Sequence, residues 1–372
     1  MAAPTALVVG GTGPTGPHVV NGLIDRGYAV TMLHTGRHER DEIPGAVEHV
    51  HTDPFDAALV DAVLGSRSFD AAIVMYGRLR DLAPVVARRA GKVVTIGGMP
   101  AVLGYGDPEA LTPHGLPIPT REDDAVIAGP EARSDKVGKI VESEQATFAA
   151  APTATHFRYP LVYGPHQLVP REWMIVRRLL DGRTRMIVPD GGLQIRSAVY
   201  TVNAAHAALL AIDQPERSAG RTYHVSDEDT PSIRQVVEIV AAALDKPVEI
   251  VSLPDELATP ARPMMMLTGS FHRYTPATAL IDELGYRDVV PAATALAETA
   301  RWLVANPPEP RGTIERALQD PFDYAAEDAL LDAWASALAA TRPTAVAADP
   351  LITDRYSPDY ERMVTARRAR RR

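Results

Sequence analysis

Three glycines near the beginning of the chain, Gly10, Gly13 and Gly16, have the spacing of a loop that binds phosphate. They follow an apolar run at 6–9 and precede a helix-like segment at 18–26. Glycine permits a sharp turn after a strand and lets backbone amides come close to a pyrophosphate. The first turn of the following helix would direct its unpaired N–H groups at the same phosphates. We therefore predict a dinucleotide-binding loop; the alternative is a glycine-rich turn that only packs a helix against a strand.

The elements that would position this loop alternate along the first part of the chain. Candidate strands lie at 6–9, 29–33, 47–51, 71–75 and 92–96, with helix-like stretches between them. Such alternation predicts a parallel sheet with helices on both faces, and the continuous apolar runs agree with burial on both sides. We predict an α/β fold of the Rossmann type, with a doubly wound parallel sheet.

The remainder of the chain is less regular. We predict a cofactor-binding domain at 1–165 and a smaller mixed α/β substrate lobe at 166–310, which returns some strands and helices to the sheet. A C-terminal extension at 311–372 contains one helix at about 324–340 and ends in an arginine-rich tail at 366–372. We interpret this tail as a solvated, disordered segment rather than a nucleic-acid-binding arm.

Composition restricts the class of protein. The chain has 372 residues and a formal net charge of −9, which argues against a general nucleic-acid-binding surface. It contains no cysteine, so disulfide bonds and thiolate chemistry are excluded. No apolar run approaches the ~20 residues of a membrane-spanning helix, and the first strand begins too early to leave room for a signal peptide. We expect a cytoplasmic protein with no membrane or nucleic-acid partner.

Several segments together resemble the extended short-chain dehydrogenases/reductases, the group that contains sugar-nucleotide epimerases and dehydratases. These segments are the glycine loop at 10–16, Thr-Arg-Glu-Asp at 120–123, Arg-Tyr-Pro-Leu-Val-Tyr-Gly-Pro at 158–165, Tyr-His-Val-Ser-Asp at 223–227 and Leu-Gly-Tyr at 284–286. The resemblance covers about residues 5 to 305. It implies a nicotinamide cofactor and hydride transfer at a substrate carbonyl.

The resemblance also implies which residues line the cofactor site. Asp53 would lie near the adenine, and the turn at 159–162 would lie at the nicotinamide end. The predicted set is Gly10, Thr12, Gly13, Pro14, Thr15, Gly16, His34, Arg37, Asp53, Pro54, Met75, Tyr76, Gly77, Ile96, Gly97, Tyr159, Pro160 and Val162.

The end of the second strand bears on which nicotinamide cofactor is bound. Enzymes that prefer NAD carry an acidic residue there, which accepts hydrogen bonds from the ribose hydroxyls. This chain has His34, and Arg37 follows in the next turn, where its guanidinium could hold a 2′-phosphate. We therefore expect NADP(H) rather than NAD. Glu39 nearby leaves open that Arg37 is a solvated loop charge and that either cofactor binds.

The usual proton-transfer residues of that family are missing. Its members reduce carbonyls with a Tyr-x-x-x-Lys pair on the long helix, where residues four apart share one face. The corresponding segment contains Lys136 and Lys139 but no tyrosine. Lys136 lies near the position of the tyrosine, and a shift of one residue gives Asp135 and Lys139 the four-residue spacing; neither register restores the pair. The fifth strand ends at Gly97 and Gly98, where the family often has serine, and Thr95 is expected inside the strand.

This departure resembles atypical actinobacterial members of the family, including an angucyclinone ketoreductase of simocyclinone antibiotic biosynthesis. The resemblance implies that a phenol on the substrate supplies the proton while the protein orients the substrate. A general acid contributes about 10²–10⁴-fold, and positioning a hydride donor contributes ~7–11 kcal/mol, so a substrate with its own acid could dispense with the tyrosine. We expect NADPH-dependent reduction of a ketone on a polycyclic aromatic polyketide. The alternatives are a sugar-nucleotide epimerase or dehydratase and a non-catalytic NADP(H)-binding sensor.

Further side chains are candidates for the reacting end of the site. The candidate catalytic groups are Lys136 and Tyr105, although a loop tyrosine on the surface explains Tyr105 equally well. The predicted substrate contacts are Met99, Tyr163, His166 and Trp173. An ordinary turn at Tyr163 and lobe packing by Trp173 are the structural alternatives.

No metal is expected, because His156, His206 and His224 lack metal-ligand spacing with one another. The family resemblance also implies a possible homodimer formed through the long helix.

Overall fold

A parallel sheet forms the centre of the computed structural model, which describes residues 2–127, 134–261, 263, 269–347, 360 and 362. The described strands are β1 (Thr5–Val9), β2 (Ala29–His34), β3 (Glu48–His51), β4 (Phe69–Val74), β5 (Ala90–Gly98), β6 (Thr155–Tyr159), β7 (Leu161–Tyr163), β8 (Arg185–Pro189), β9 (Ala198–Tyr200), β10 (Thr222–His224) and β11 (Glu249–Leu253). Seven of them form the main sheet in the order β10-β6-β5-β4-β1-β2-β3, and every pairing in it is parallel. The chain order reverses between β1 and β4, which is where ligands bind in sheets of this kind.

Helices connect these strands. The described α-helices are α1 (Gly16–Asp25), α2 (Ala57–Leu64), α3 (Leu79–Ala87), α4 (Asp135–Ala150), α5 (Glu172–Leu180), α6 (Thr201–Asp213), α7 (Ile233–Ala243), α8 (Thr278–Leu284), α9 (Ala292–Ala305), α10 (Thr313–Leu318) and α11 (Tyr324–Ala347). Side-chain caps begin several of them: Asp56 accepts the first-turn N–H groups of α2, and Ser134 accepts the N–H of Val137 in α4. None of the helices in the described part of the chain is both long and apolar enough to cross a membrane.

The main sheet separates two apolar cores. Ala6 and Val8 of β1 belong to one core, with α1 and α6, while Leu7 and Val9 belong to the other, with α2 and α3. Successive side chains of a strand point to opposite faces, so an unbroken apolar run is what a strand covered on both sides requires. The predicted doubly wound α/β sheet is confirmed.

A second region follows β6. Pro160 separates β6 from β7, since proline has no N–H with which to continue a ladder. Strands β7 and β9 form one small parallel sheet and β8 and β11 another. Helices α5 and α7 pack together in a separate apolar core.

The chain forms two compact units, Met1–Phe322 and Asp323–Arg372. The second unit contains helix α11, in the region where one long helix is predicted. The finer division at 165 and 310 stays a prediction. The arginine-rich tail at 366–372 lies outside the described residues.

Candidate functional site

The glycine loop after β1 is built from close backbone packing. The N–H of Gly10 donates to the carbonyl of Leu33 at 2.9 Å, and its φ of 107° is one that glycine favours. A Cβ added at Gly10 would lie 2.9 Å from the Cβ of Tyr76, and one added at Gly16 would collide with the backbone of Gly11. These two glycines are therefore required by the fold itself.

Gly13 differs from its neighbours because the protein does not need it for packing. A Cβ added there would have no heavy atom within 4 Å. Helix α1 begins beside it with Thr15, whose side chain caps no backbone N–H, and with no acidic residue in the first turn. The open position and the uncapped positive end of a helix fit the phosphates of a dinucleotide.

The glycine loop at 10–16 and the first turn of α1 together form a cradle for phosphate. Arg40 lies beside this cradle, although the sequence analysis did not identify it. Its Nε donates to the carbonyl of Thr12 at 2.9 Å. A guanidinium beside the loop adds positive charge where an anionic ligand would lie. Nothing in the local sequence indicates this contact, because it joins segments 28 residues apart.

The loops after β3 and β4 meet beside the cradle. Asp53 accepts the N–H of Phe55 at 2.9 Å, and the N–H of Arg78 donates to the carbonyl of Pro54 at 3.1 Å. The rings of Phe55 and Tyr76 meet edge to face, 5.2 Å apart, and Tyr76 is 54% exposed. The structure thus brings the predicted residues Asp53, Pro54, Tyr76 and Gly77 to one edge of the sheet, and a Cβ on Gly77 would crowd Pro54.

At the end of β2, His34 lies beside Glu39, His49 and His51, which the sequence prediction did not include. His34 is buried, and burial lowers its pKa. The Glu39 carboxylate lies 3.3 Å from His49 Nδ1 and 3.5 Å from His51 Nε2. Arg37 is exposed, and its guanidinium forms no ion pair within the described part of the chain. Glu39 is therefore engaged by imidazoles, which leaves Arg37 available to a ligand.

A cleft of about 570 Å³ opens between the sheet edge and helix α4. Its lining residues are Phe55, Gly77, Arg78, Leu79, Arg80, Ile96, Gly97, Asp135, Lys136, Lys139, Ile140 and Ser143. Lys136 and Ile140 lie four apart on α4 and both face this cleft. Lys139 lies 4.0 Å from Asp135, and Arg80 lies 3.6 Å from Glu142. Lys136, by contrast, forms no ion pair with any described residue.

A buried polar network holds α4 against β6. Arg158 donates to both carboxylate oxygens of Glu144, at 2.7 Å and 3.0 Å. His156 lies behind this pair, hydrogen-bonded to Thr95 at 2.7 Å, and burial lowers the pKa of His156 to about 4. Thr95 is fully buried inside the strand, as predicted. This anchor determines which residues of α4 reach the cleft, and Lys136 is among them.

The structure places Met99 and Tyr105 in a packed core rather than on the cleft. Both are buried and share an apolar cluster with Val102 and Leu116. A short 3₁₀ turn, Met99–Ala101, folds the chain inward directly after β5. Burial raises the pKa of the Tyr105 hydroxyl, which makes it a weaker proton donor. The predicted substrate contact at Met99 and catalytic role of Tyr105 are therefore corrected to packing roles.

Three other predicted substrate contacts have structural partners instead. The Tyr163 hydroxyl donates to Asp227 at 2.6 Å, and Trp173 Nε1 donates to Glu315 at 2.9 Å. Both side chains are buried, so their predicted substrate roles are corrected to packing and hydrogen bonding. His166 lies 2.8 Å from Glu42 and contacts the ring of Trp302, away from the lining of the cleft.

The remaining predicted cofactor residues vary in exposure. The Tyr159 hydroxyl donates to the carbonyl of Ala204 at 2.6 Å and is buried, so its side chain supports the fold. Pro160 and Val162 are half-buried. Thr15 Oγ1 lies 4.0 Å from the sulfur of Met75, which places Met75 under the glycine loop.

A mainly apolar cavity lies beside the first turns of helix α4. Its volume is about 560 Å³, and it shares helix α4 with the cleft through Val137, the neighbour of Lys136. The cavity is lined by Pro100, Leu103, Gly104, Gly106, Asp107, Ala110, Leu111, Ile127, Ser134 and Val137. Its mainly apolar wall offers surface to the apolar part of a small molecule.

Comparison with known proteins agrees with the fold. No protein-family model matches the chain. A 2-alkyl-3-oxoalkanoate reductase of Stenotrophomonas maltophilia is 26% identical over 256 residues, which cover 65% of this chain and 76% of the relative. A UDP-N-acetyl-alpha-D-glucosaminuronate decarboxylase of Bacillus cytotoxicus is 23% identical over 288 residues, which cover 68% and 84%.

Solved structures share the architecture. The Bordetella bronchiseptica enzyme WbmH in complex with NAD⁺ superposes with a TM-score of 0.63 at 17% identity, covering 81% of this chain and 98% of that one. The UDP-glucose 4-epimerase of Thermotoga maritima, with UDP-glucose, superposes with a TM-score of 0.63 at 16% identity, covering 81% and 99%. The Rossmann-type fold is confirmed. With the sequence relatives, these structures support the resemblance to the extended short-chain dehydrogenases/reductases.

Proposed function

We propose that the chain is an extended short-chain dehydrogenase/reductase that uses NADPH to reduce a ketone on a polycyclic aromatic metabolite. One observation carries this proposal: the phosphate cradle is intact, while the helix face opposite the sheet edge presents Lys136 and Ile140 instead of tyrosine and lysine. This combination supports dinucleotide binding by the glycine loop together with replacement of the usual protein acid.

Choice of NADP(H) over NAD rests on charge at the end of β2. His34 stands where an acidic residue would accept hydrogen bonds from the ribose. The Arg37 guanidinium forms no ion pair with the residues that the structure describes, and Glu39 is held by imidazoles. A 2′-phosphate would therefore meet a cation at Arg37.

Each part of the site has a role in the proposed reduction. NADPH supplies the hydride when bound. Ile96 and Gly97 form the sheet edge of the cleft, and the neighbouring apolar cavity would hold the rings of the substrate. The Lys136 ammonium faces the same cleft and can stabilise negative charge that develops on the carbonyl oxygen. The proton then comes from a phenol of the substrate beside the reacting ketone.

A substrate pair tests this mechanism. Purified protein is given NADPH with a phenolic polycyclic ketone, or with the same ketone whose phenol is O-methylated. Oxidation of NADPH with the phenol, and its loss by at least about 10²-fold on methylation, is expected for substrate-assisted proton transfer. Equal rates with both compounds would overturn the substrate-assisted step but not the reductase.

Two matched lysine variants separate the roles on α4. Lys136→Met should lower kcat with little change in the Kd for NADPH, because its ammonium acts on the developing charge. Lys139→Met, which removes a second cation of the same cleft that is already paired with Asp135, is the control and should retain most activity. If Lys139→Met lowers kcat and Lys136→Met does not, the assignment of Lys136 is wrong.

A sugar-nucleotide epimerase or decarboxylase is the second candidate, because several of the relatives and solved neighbours have such activities. Turnover of UDP-sugars without oxidation of polycyclic ketones would favour it. Binding of NADPH without turnover of either class would favour a non-catalytic sensor. Failure to bind NADPH or NADH would overturn the whole proposal.

A further inference from the structure

Three histidines and one carboxylate converge at the edge of the main sheet. His34 ends β2, while His49 and His51 lie on the edge strand β3. His49 and His51 are two residues apart in a strand, so both point to the same face. His34 is the parallel partner of His51 across the ladder, and Glu39 reaches back from the loop between the strands. We call these four residues the His–Glu cluster.

The donor atoms of the His–Glu cluster have the separations of a metal site. All four lie within 4.8 Å of one another. His34 Nε2 lies 3.0 Å from His49 Nδ1 and 3.9 Å from a Glu39 oxygen. Glu39 Oε2 lies 3.3 Å from His49 Nδ1, and the other carboxylate oxygen, Oε1, lies 3.5 Å from His51 Nε2. Tetrahedral zinc with bonds of about 2.0–2.1 Å requires ligand atoms about 3.3–3.4 Å apart, so His34 and His49 would move slightly apart while the wider pairs close inward.

The orientation of the rings supports the same interpretation. The planes of His34 and His51 meet at 86° and those of His34 and His49 at 72°, so the rings meet edge-on rather than stacked. Because the rings are not stacked, their edge nitrogen atoms can converge, as the donor-atom separations show.

We propose that His34, Glu39, His49 and His51 form a four-ligand site for a borderline divalent transition metal, with Zn²⁺ as the best fit. Three imidazoles and one carboxylate are ligands that suit zinc in a closed tetrahedral site. The metal would replace the hydrogen bond between His34 and His49. His34 would then carry its proton on Nδ1 and give up the long, 3.3 Å contact from the N–H of Gly36.

A metal here would tie the loop carrying Glu39 to the sheet edge beside the expected ribose position. Because all protein ligands are used, the site is structural and takes no part in hydride transfer. The proposal therefore stands apart from the proposed reductase activity and has its own readout. The sequence-based expectation of no metal did not consider the pattern His49-Val-His51, in which two histidines of one strand share a face.

Direct metal titration tests this inference. Full-length protein without an affinity tag is dialysed against a chelator and titrated with Co²⁺, which absorbs strongly in the visible when tetrahedral. One equivalent of tetrahedral Co²⁺ that Zn²⁺ displaces is expected. Zn²⁺ should also raise the thermal midpoint by mass action on the folded state.

Three variants complete the test. His51→Gln and Glu39→Gln remove exposed ligands whose loss should leave the fold intact, and circular dichroism verifies this. Loss of one ligand should weaken metal binding by at least the roughly 10–100-fold that is typical for supporting residues. His38→Gln removes an exposed histidine next to Glu39 that is outside the cluster, and it should bind like the wild type. The proposal is overturned if wild type shows no tetrahedral Co²⁺ spectrum, or if all three variants bind metal equally.

Discussion

The two ends of the candidate cofactor site are built by different means. At the phosphate end, Gly10 and Gly16 leave no room for a side chain, so backbone packing itself makes the cradle. At the reacting end, the residues facing the cleft are interchangeable side chains such as Lys136 and Ile140 on a helix anchored elsewhere. Binding geometry is thus tied to the fold, whereas the chemistry can change without disturbing it. A chain can therefore keep the cradle and replace the acid.

The largest expected effect concerns the anchor of the reacting end. Arg158 is 3% exposed and bonds both oxygens of Glu144. Arg158→Met would leave that largely buried carboxylate with His156 Nε2, 3.6 Å away, in place of two guanidinium hydrogen bonds, and we expect a loss of about 3–5 kcal/mol in the free energy of unfolding. Arg234→Met, which breaks an exposed pair with Glu238, should cost less than about 1 kcal/mol. Urea denaturation measures both, and equal losses would show that the buried pair does not anchor α4.

The same network predicts a dependence of stability on pH. Burial lowers the pKa of His156 to about 4. The unfolded chain binds this proton near its ordinary value of ~6.5, so acidification from there to the folded pKa favours unfolding by up to about 3 kcal/mol. We expect the free energy of unfolding, measured in urea, to fall between neutral pH and about pH 5.

A matched variant isolates this histidine from other titrating groups. Asp227 contributes to the pH dependence of stability with the opposite sign. Burial raises the pKa of its carboxyl to about 6, so its protonation on acidification stabilises the fold. His156→Gln should therefore lose less stability than the wild type over the same pH range. If both proteins lose the same amount, His156 is not the source of the acid sensitivity.

The glycine loop offers a direct comparison between packing and binding. Gly16→Ala forces a Cβ against the Gly11 backbone, so we expect a stability loss near the upper end of the ~1–3 kcal/mol cost of overpacking. Gly13→Ala meets no protein atom and should leave the free energy of unfolding nearly unchanged. It should weaken NADPH binding by about tenfold, equivalent to about 1.4 kcal/mol, because the methyl group enters the phosphate space. Unfolding and fluorescence titration measure the two quantities, and unaffected NADPH binding in Gly13→Ala would contradict the cradle.

The smallest expected effect is a gain in the rate of ketone reduction when the usual pair of residues is restored at the reacting end. The double variant Lys136→Tyr, Ile140→Lys places a tyrosine and a lysine four apart on the face that lines the cleft. We expect reduction of ketones without a phenol to rise by about tenfold, below the ~10²–10⁴-fold of an optimised acid. Initial rates of NADPH oxidation check this, with Lys136→Tyr alone as the control. No gain in the double variant would show that the helix face is misplaced relative to the substrate.

Local signals in the sequence predicted the fold well. The apolar run of β1, the glycines after it and the alternation of strands and helices depend on neighbours in the chain, and the structure confirms the sheet that they indicate. The position of Thr95 inside β5 was predictable for the same reason. Residue type alone did not predict the roles of Tyr105 and Trp173. Their side chains have chemistry suited to a site, but the fold buries both of them in apolar cores.

The sequence by itself determined the class of fold, the phosphate loop and the absence of the usual tyrosine, because each is a pattern over a few adjacent residues. Only the tertiary structure decided that Arg40 reaches the loop, that Lys136 faces the cleft and that Glu39 joins three histidines. Those contacts join residues far apart in the chain, and they form only when the parallel strands bring their ends to one edge. Local pattern thus specifies the elements, while side-chain chemistry depends on what folding places beside each residue.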